Sequence, residues 1–191
     1  MAPRKTALFL FAALALTASG CGEKKAQRPV AFVGETAISG EQFDAALEQL
    51  RADRRRKGES EEFPEPGTVG YRHLRDSVLG LLVFRAELRK AAERLGIRVG
   101  DDEVDRLIDA GGGAPGEGEG GSLGRAAREL ARESLRAQLL YQRIYEQVTS
   151  SVTAPTAAEL SARRRAAMAR FITRMKTSAR VRYEPGYAPG S

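Results

Sequence analysis

The chain of 191 residues has one cysteine, one histidine and no tryptophan. A lone cysteine cannot form an internal disulfide, so packing must hold the fold together. A lone histidine, His73, excludes a two-histidine metal site within one chain. Because His73 stands beside Leu74 on a predicted helix, we interpret it as a surface or packing residue and not as the base of a Ser-His-acid set. We therefore expect no catalytic residue and no metal site.

Aromatic residues and phosphate-binding loops are also scarce. Aromatic side chains make up 6% of the chain, too few for a platform that stacks the bases of single-stranded nucleic acid. The pattern GxGxxG occurs at residues 116–121, but no strand precedes it, and Glu117 and Glu119 would repel a phosphate. We predict that residues 111–121 form a flexible glycine-rich linker, and that the protein takes no cofactor and no nucleic acid.

No apolar run is long enough to span a bilayer. The longest, residues 7–18, has about twelve residues, whereas a spanning helix needs about 20. Arg4 and Lys5 precede this run, and the small residues Ser19 and Gly20 follow it. This arrangement is typical of a secretory signal peptide, which we place at residues 1–20, with a flexible tether at residues 21–29.

The cysteine, Cys21, directly follows Ala18-Ser19-Gly20. The segment resembles a bacterial lipoprotein signal, although Ala18 stands where that family usually has a leucine. The resemblance implies cleavage before Cys21, acylation of Cys21 and attachment of the exported protein to a membrane through this N-terminal lipid. The alternative is an ordinary secreted protein with a stray cysteine near its cleavage site.

The chain is basic, with a formal net charge of +6, and removal of residues 1–20 leaves +4. A basic exported protein is suited to anionic lipid or to acidic partners. The three consecutive arginines at residues 163–165 lie on a predicted helix. They are either a solvated helix face or a contact for lipid headgroups or acidic polypeptide segments.

Residues 30–39 predict a β-hairpin with a type II′ turn at Gly34-Glu35. A helix follows, and it starts with a capping box between Ser39 and Gln42. We expect the polar residues 51–67 to end this helix and form a loop.

Apolar residues at helical spacing predict four further helices, at residues 68–95, 101–110 and 123–148 and from Thr156 to about residue 175. Gly96 is predicted to end the first of these in a Schellman motif, and Thr156 to start the last in a capping box with Glu159. Leu81 is assigned to the apolar face of the first, and Gly80 is interpreted as a close contact between helices.

Residues 179–185 alternate polar and apolar and predict a strand near the C-terminus. Because an isolated hairpin is marginal in water, we expect this strand to pair with the N-terminal hairpin and to bring Val181 and Tyr183 close to Phe32. The fold class is therefore mainly α, with a small antiparallel sheet that joins the two ends of one domain at residues 30–187. Residues 188–191 are predicted to be a disordered tail.

Four stretches in this order resemble the foldases of the SurA and PrsA type. They are residues 30–47 (strand, turn, strand and capped helix), 74–108 (the next helix pair), 131–160 (the third helix and the lead into the next domain) and 171–187 (the returning helix and strand). The resemblance implies a SurA N-terminal-like helical module.

One large departure concerns catalysis. In those foldases a parvulin-type prolyl isomerase domain follows the segment that matches residues 153–160, but here only about ten residues separate Leu160 from Phe171. That is too few for any domain, so the resemblance implies a module without isomerase activity.

We expect an extracytoplasmic, lipid-anchored, chaperone-like protein that binds unfolded or newly exported polypeptides through apolar helical surfaces. The alternative is an accessory envelope lipoprotein that docks one specific folded partner in export or envelope assembly.

Overall fold

A computed structural model describes residues 28–58, 63–110 and 122–190, with side chains from residue 128 onward in the last range. The predicted signal peptide, Cys21 and the glycine-rich linker lie outside the described residues. The elements are β1 (Pro29–Val33), β2 (Thr36–Ser39), α1 (Gly40–Arg56), α2 (Val69–Arg94), α3 (Asp101–Ala110), α4 (Ser122–Thr149), α5 (Ala157–Ser178) and β3 (Val181–Tyr183). The predicted mainly α class is confirmed.

The hairpin of β1 and β2 turns at Gly34-Glu35, where Val33 pairs with Thr36. Gly34 has a φ of +59°, and no residue other than glycine in the described ranges has a positive φ. Positive φ at the first central position alone is the pattern of a type II′ turn, as the sequence predicts.

The C-terminal strand β3 pairs antiparallel with β1, which gives a three-stranded sheet in the order β2-β1-β3. Phe32 lies opposite Arg182, whose guanidinium carbon is 4.2 Å from the centre of the Phe32 ring. Both neighbours of Arg182, Val181 and Tyr183, are therefore beside β1 as predicted. The two ends of the described chain meet in one sheet.

Local signals set the helix ends. The Ser39 hydroxyl accepts from the Gln42 N–H, and the Gln42 side chain accepts in turn from the Ser39 N–H, which completes the predicted capping box. At the end of α2, Gly96 has a φ of +70° and the Ile97 N–H donates to the Ala92 carbonyl at 2.9 Å. This bond is the defining contact of the predicted Schellman motif.

Two apolar clusters form the core, and α2 contributes to both. The first joins the sheet, α1 and the first part of α2, with Val33 and Leu79 each 1% exposed. The second joins the last part of α2 to α4 and α5, with Leu88 1% and Ile144 0% exposed. Because α2 runs through both clusters, it fixes the position of α5 relative to the sheet.

Three predictions for the helices are wrong. Helix α1 continues to Arg56 instead of ending near residue 51, since ion pairs one turn apart, Arg51–Glu48 and Arg56–Asp53, stabilise its last turns. Gly80 contacts no other element, because a Cβ built there would meet no atom within 4 Å. Leu81 is 47% exposed and does not belong to the core.

Residues 188–190 also differ from the disordered tail that we expected for residues 188–191. Arg75 on α2 donates to the carbonyls of Gly186 at 2.8 Å and Ala188 at 3.4 Å. Asp76 accepts from the Gly190 N–H at 2.9 Å. This backbone hydrogen bond, with the neighbouring Arg75, lowers the pKa of Asp76. Residues 186–190 therefore lie against α2.

Candidate functional site: a groove between α2 and α5

An open groove lies where α2, the end of α5 and the hairpin turn converge, and we call it the α2–α5 groove. It consists of two adjoining clefts of about 200 Å³ and about 260 Å³ that share Arg94, Met175 and Ser178. Its lining residues are Val33, Gly34, Glu87, Lys90, Ala91, Arg94, Leu95, Phe171, Arg174, Met175, Ser178, Ala179 and Arg180.

Helical spacing brings the lining side chains to one face of each helix. Glu87 and Ala91 on α2 and the C-cap residue Leu95 directly after it follow one another at intervals of four residues. The hairpin turn closes one end of the groove, where the Gly34 N–H donates to the Arg180 carbonyl at 2.7 Å. A Cβ at Gly34 would come within 2.3 Å of the Lys90 Nζ, so glycine at this position lets the lysine cross the turn.

The floor of the groove is apolar. Val33 and Met175 are 1% and 3% exposed, and both belong to the core clusters. Leu95 and Phe171 are half-buried and pack against the second cluster from the groove side. The groove therefore combines a buried apolar base with partly accessible apolar walls.

Four cations surround this floor: Lys90, Arg94, Arg174 and Arg180. Within the described ranges, none of the four forms an ion pair. Several arginines elsewhere in the bundle do form ion pairs: three on α4 with acids of α3, as in Arg143 with Glu103 at 2.6 Å, and Arg89 with Glu133. The groove therefore concentrates positive charge that the described part of the chain leaves without an ion-pair partner.

The one acidic residue in the lining is Glu87, which is only 5% exposed. Burial raises the pKa of Glu87 by disfavouring its charged form, while the Lys176 ammonium opposes this change. The described part of the chain supplies no hydrogen bond to the Glu87 carboxyl. Burial, followed by the charges of Glu87 and Asp76, also raises the pKa of Tyr183 on β3.

Glu87 is not among the residues predicted from the sequence, although the sequence contains a signal for it. Glu87 lies four residues after Val83 and four before Ala91, both of which are buried. A carboxylate within the apolar stripe of a helix is rare unless it is paired or functional. The groove cations could not be identified in this way, since nothing local distinguishes them from the other arginines.

Apolar side chains with high exposure are spread over α2, α3 and α4. They are Val69 (59%), Leu81 (47%), Leu107 (44%) and Tyr141 (39%). Single exposed apolar residues are common on soluble proteins and do not mark a site. The α2–α5 groove is therefore the stronger candidate for a surface that holds an apolar segment.

The residues considered from the sequence lie away from the groove. His73 is exposed on α2, as a surface residue should be. In the arginine run of α5, Arg163 donates to the Thr153 carbonyl at 2.9 Å and Arg165 to the Ser161 hydroxyl at 2.7 Å. The Arg164 Nε is buried without a partner in the part of the chain that the structure describes.

The described residues offer neither a metal site nor a membrane span. Across residues 28–58, 63–110 and 122–190, no group of His, Cys, Asp and Glu side chains could hold a metal ion. None of the helices in those ranges is long and apolar enough to cross a membrane.

The segment in which the SurA-type and PrsA-type foldases that the sequence resembles carry an isomerase is a continuous helix. Leu160 and Phe171 both lie within α5, which runs unbroken from Ala157 to Ser178. No domain is inserted between them.

A family model described as the SurA-like N-terminal domain matches residues 4–111, more than half of the chain. No parvulin domain is matched. No curated protein matches the chain. The match covers the hairpin, α1, α2 and α3, and the remaining elements pack onto these, α4 and α5 against α2 and β3 against β1. The chain belongs to the family of SurA-like N-terminal domains.

Proposed function

We propose that this protein is an extracytoplasmic, lipid-anchored chaperone that holds unfolded or newly exported polypeptides and does not isomerise prolyl bonds. Domains of this family are associated with binding polypeptide substrates and are typical of periplasmic and envelope proteins. The observation that carries the proposal is the α2–α5 groove, an open surface with an apolar floor on a domain of this family. Its half-buried walls, Leu95 and Phe171, would contact the apolar side chains of a bound segment.

Such holding needs no energy input. A protein that binds the unfolded state and not the native state of another chain lowers the concentration of free unfolded chains, and with it their aggregation. The continuous α5 helix supports the absence of isomerase activity, since it leaves no place for a domain inserted between Leu160 and Phe171.

The test is an aggregation assay with a chemically denatured client protein diluted into buffer. We expect an equimolar amount of this protein to reduce light scattering. Phe171→Ser should weaken the protection, because it removes an apolar wall of the groove, whereas Tyr141→Ser on α4 should leave it intact. Circular dichroism must show that both variants are folded. Unchanged scattering with the wild-type protein would contradict the proposal and favour docking of one folded partner.

The isomerase question has a separate test. We expect the rate of cis–trans isomerisation of an X-Pro peptide in the presence of the protein to equal the uncatalysed rate, whose time constant is roughly tens to hundreds of seconds. A measurable acceleration would show that the protein is an isomerase after all.

Membrane attachment depends on Cys21 in this proposal. Several acyl chains, each contributing about 0.8 kcal/mol per buried methylene, would hold the protein firmly on a membrane. Cys21→Ser should move the protein from the membrane fraction to the soluble extracytoplasmic fraction. If the serine variant stayed with the membrane after a high-salt wash, acylation of Cys21 would not be the anchor.

A further inference from the structure

The α2–α5 groove carries an excess of positive charge, whereas an average polypeptide segment carries little net charge. The groove carries four cations without ion pairs in the described ranges and a single carboxyl that is buried at its base. A purely apolar segment would leave Lys90, Arg94, Arg174 and Arg180 without a partner when it covered them. Cations next to a partly desolvated apolar floor bind a carboxylate more strongly than cations in open water.

The length of the groove sets the size of the bound segment. From Glu87 to Leu95 its α2 wall covers eight residue steps, which corresponds to about 12 Å at 1.5 Å per residue. An extended chain rises about 3.3 Å per residue, so about four residues of a client fit along the wall.

Glu87 favours a polypeptide over another anion. Its carboxyl has no hydrogen-bond partner in the described chain, and its oxygens are not enclosed in the protein, so they can accept a hydrogen bond from a donor that enters the groove. The backbone of a client brings N–H groups that can donate to this carboxyl. A lipid phosphate brings no such donor.

We propose that the α2–α5 groove selects extended polypeptide segments in which an acidic side chain is flanked by apolar residues. The acid contacts the rim cations, chiefly Arg94 and Arg180, while the flanking side chains contact Phe171 and Leu95 and a backbone N–H donates to Glu87. This inference rests on the proposed function, because it assumes that the protein binds unfolded polypeptides, and it adds which segments it binds.

The test measures the binding of two labelled short peptides to the full chain in a mild detergent by fluorescence anisotropy. The peptides have capped ends and the same apolar sequence, with a central glutamate in one and a glutamine in the other. We expect the glutamate peptide to bind about tenfold more tightly at low salt, with a preference that falls as salt screens the rim cations. The double variant Arg94→Glu, Arg180→Glu should abolish the preference.

The matched control is Arg165→Glu. Arg165 is exposed on the same helix as Arg174 but lies nine residues earlier, about two and a half turns, and so on the opposite face. This variant should keep the full preference for glutamate. Both substituted groove arginines are exposed, so we expect the variants to fold, and circular dichroism verifies it.

Each of the following results would overturn the inference: equal affinity for the two peptides, a preference that survives the double variant, or loss of the preference in Arg165→Glu. A lipid site would appear as binding to phosphatidylcholine vesicles containing phosphatidylglycerol that the double variant loses, with no binding of the glutamate peptide. If neither peptide binds but a denatured client is still protected from aggregation, only this inference fails. If protection is absent as well, the proposed function fails with it.

Discussion

Glu87 is a buried carboxyl at the base of the α2–α5 groove, and its burial costs folding free energy. The sequence shows that Glu87 lies among the apolar residues of α2, but it does not show whether the carboxylate finds a partner there. Whether a carboxylate on an apolar face finds a partner depends on what packs against that face. Here the opposing elements are α5 and the hairpin turn, both distant in sequence, and in the described chain they bring Lys176 near but no hydrogen-bond donor to the carboxyl.

The pH dependence of stability tests this environment. Because burial raises the pKa of Glu87 above the ordinary value of a glutamate, the folded state binds the proton more tightly than the unfolded state. The stability gained from protonation is complete at pH values below the pKa of Glu87 in the unfolded state. It is lost as the pH rises through the pKa of Glu87 in the folded state. Glu87→Gln, which is neutral throughout, should therefore be more stable than wild type at neutral pH, by about 1 kcal/mol.

Urea denaturation at about pH 4 and about pH 7 measures the effect. The advantage of the glutamine variant should be much smaller at the lower pH, where Glu87 is mostly protonated in both states. If wild type and the glutamine variant differed in unfolding free energy by the same amount at both pH values, Glu87 would not be desolvated.

At the scale of the elements, the boundaries set by local chemistry are the ones that the sequence predicts. The Ser39 capping box, the Schellman motif at Gly96 and the turn at Gly34 each involve residues within a few positions of one another. The extension of α1 to Arg56 shows the opposite case. Polar composition favours a loop, but ion pairs one turn apart stabilise a helix with few buried residues.

Substitution by alanine should change the unfolding free energy in opposite directions at two glycines. Gly34→Ala should lower the unfolding free energy by about 1–2 kcal/mol, because a φ of +59° is strained for alanine and its Cβ would displace Lys90. Gly80→Ala, on the exposed side of α2, should raise the unfolding free energy by up to about 1 kcal/mol, since alanine favours the helix and meets no other atom. Chemical denaturation of both variants checks the pair, and a stabilised Gly34→Ala would refute the turn geometry.

The fold of the whole molecule depends on the pairing of β3 with β1, which lie near the two ends of the described chain. The sequence indicates this closure because one short hairpin needs a third strand and only one other strand is predicted. The packing of α4 and α5 on α2 could not be predicted in the same way. Amphipathic helices show which face is buried but not which neighbour covers it, and the groove arises from that choice of neighbour.

A designed disulfide tests the closure. The Gly34 N–H donates to the Arg180 carbonyl and the Glu184 N–H to the Val30 carbonyl. Val33 and Val181, which face each other between these bonds, therefore form a non-hydrogen-bonded pair with Cα atoms about 4.5 Å apart.

That separation suits a disulfide. In a chain with Cys21→Ser, cysteines at positions 33 and 181 should oxidise to an intramolecular bond and raise the melting temperature. Cysteines at 32 and 181 should not, because adjacent strand residues point to opposite faces of the sheet. Failure of the first pair to oxidise in the folded protein would refute the pairing of β1 with β3.

The central claim is that unfolded polypeptides bind in the α2–α5 groove, and site-specific photo-crosslinking tests it most directly. A photoreactive phenylalanine analogue at position 171 lies in the groove, and the same analogue at position 107 lies on the exposed face of α3. We expect an unfolded client to crosslink strongly at 171 and weakly at 107, and the native client to crosslink at neither. Equal crosslinking at the two positions, or none at 171 in a folded variant, would show that unfolded chains do not bind in the groove.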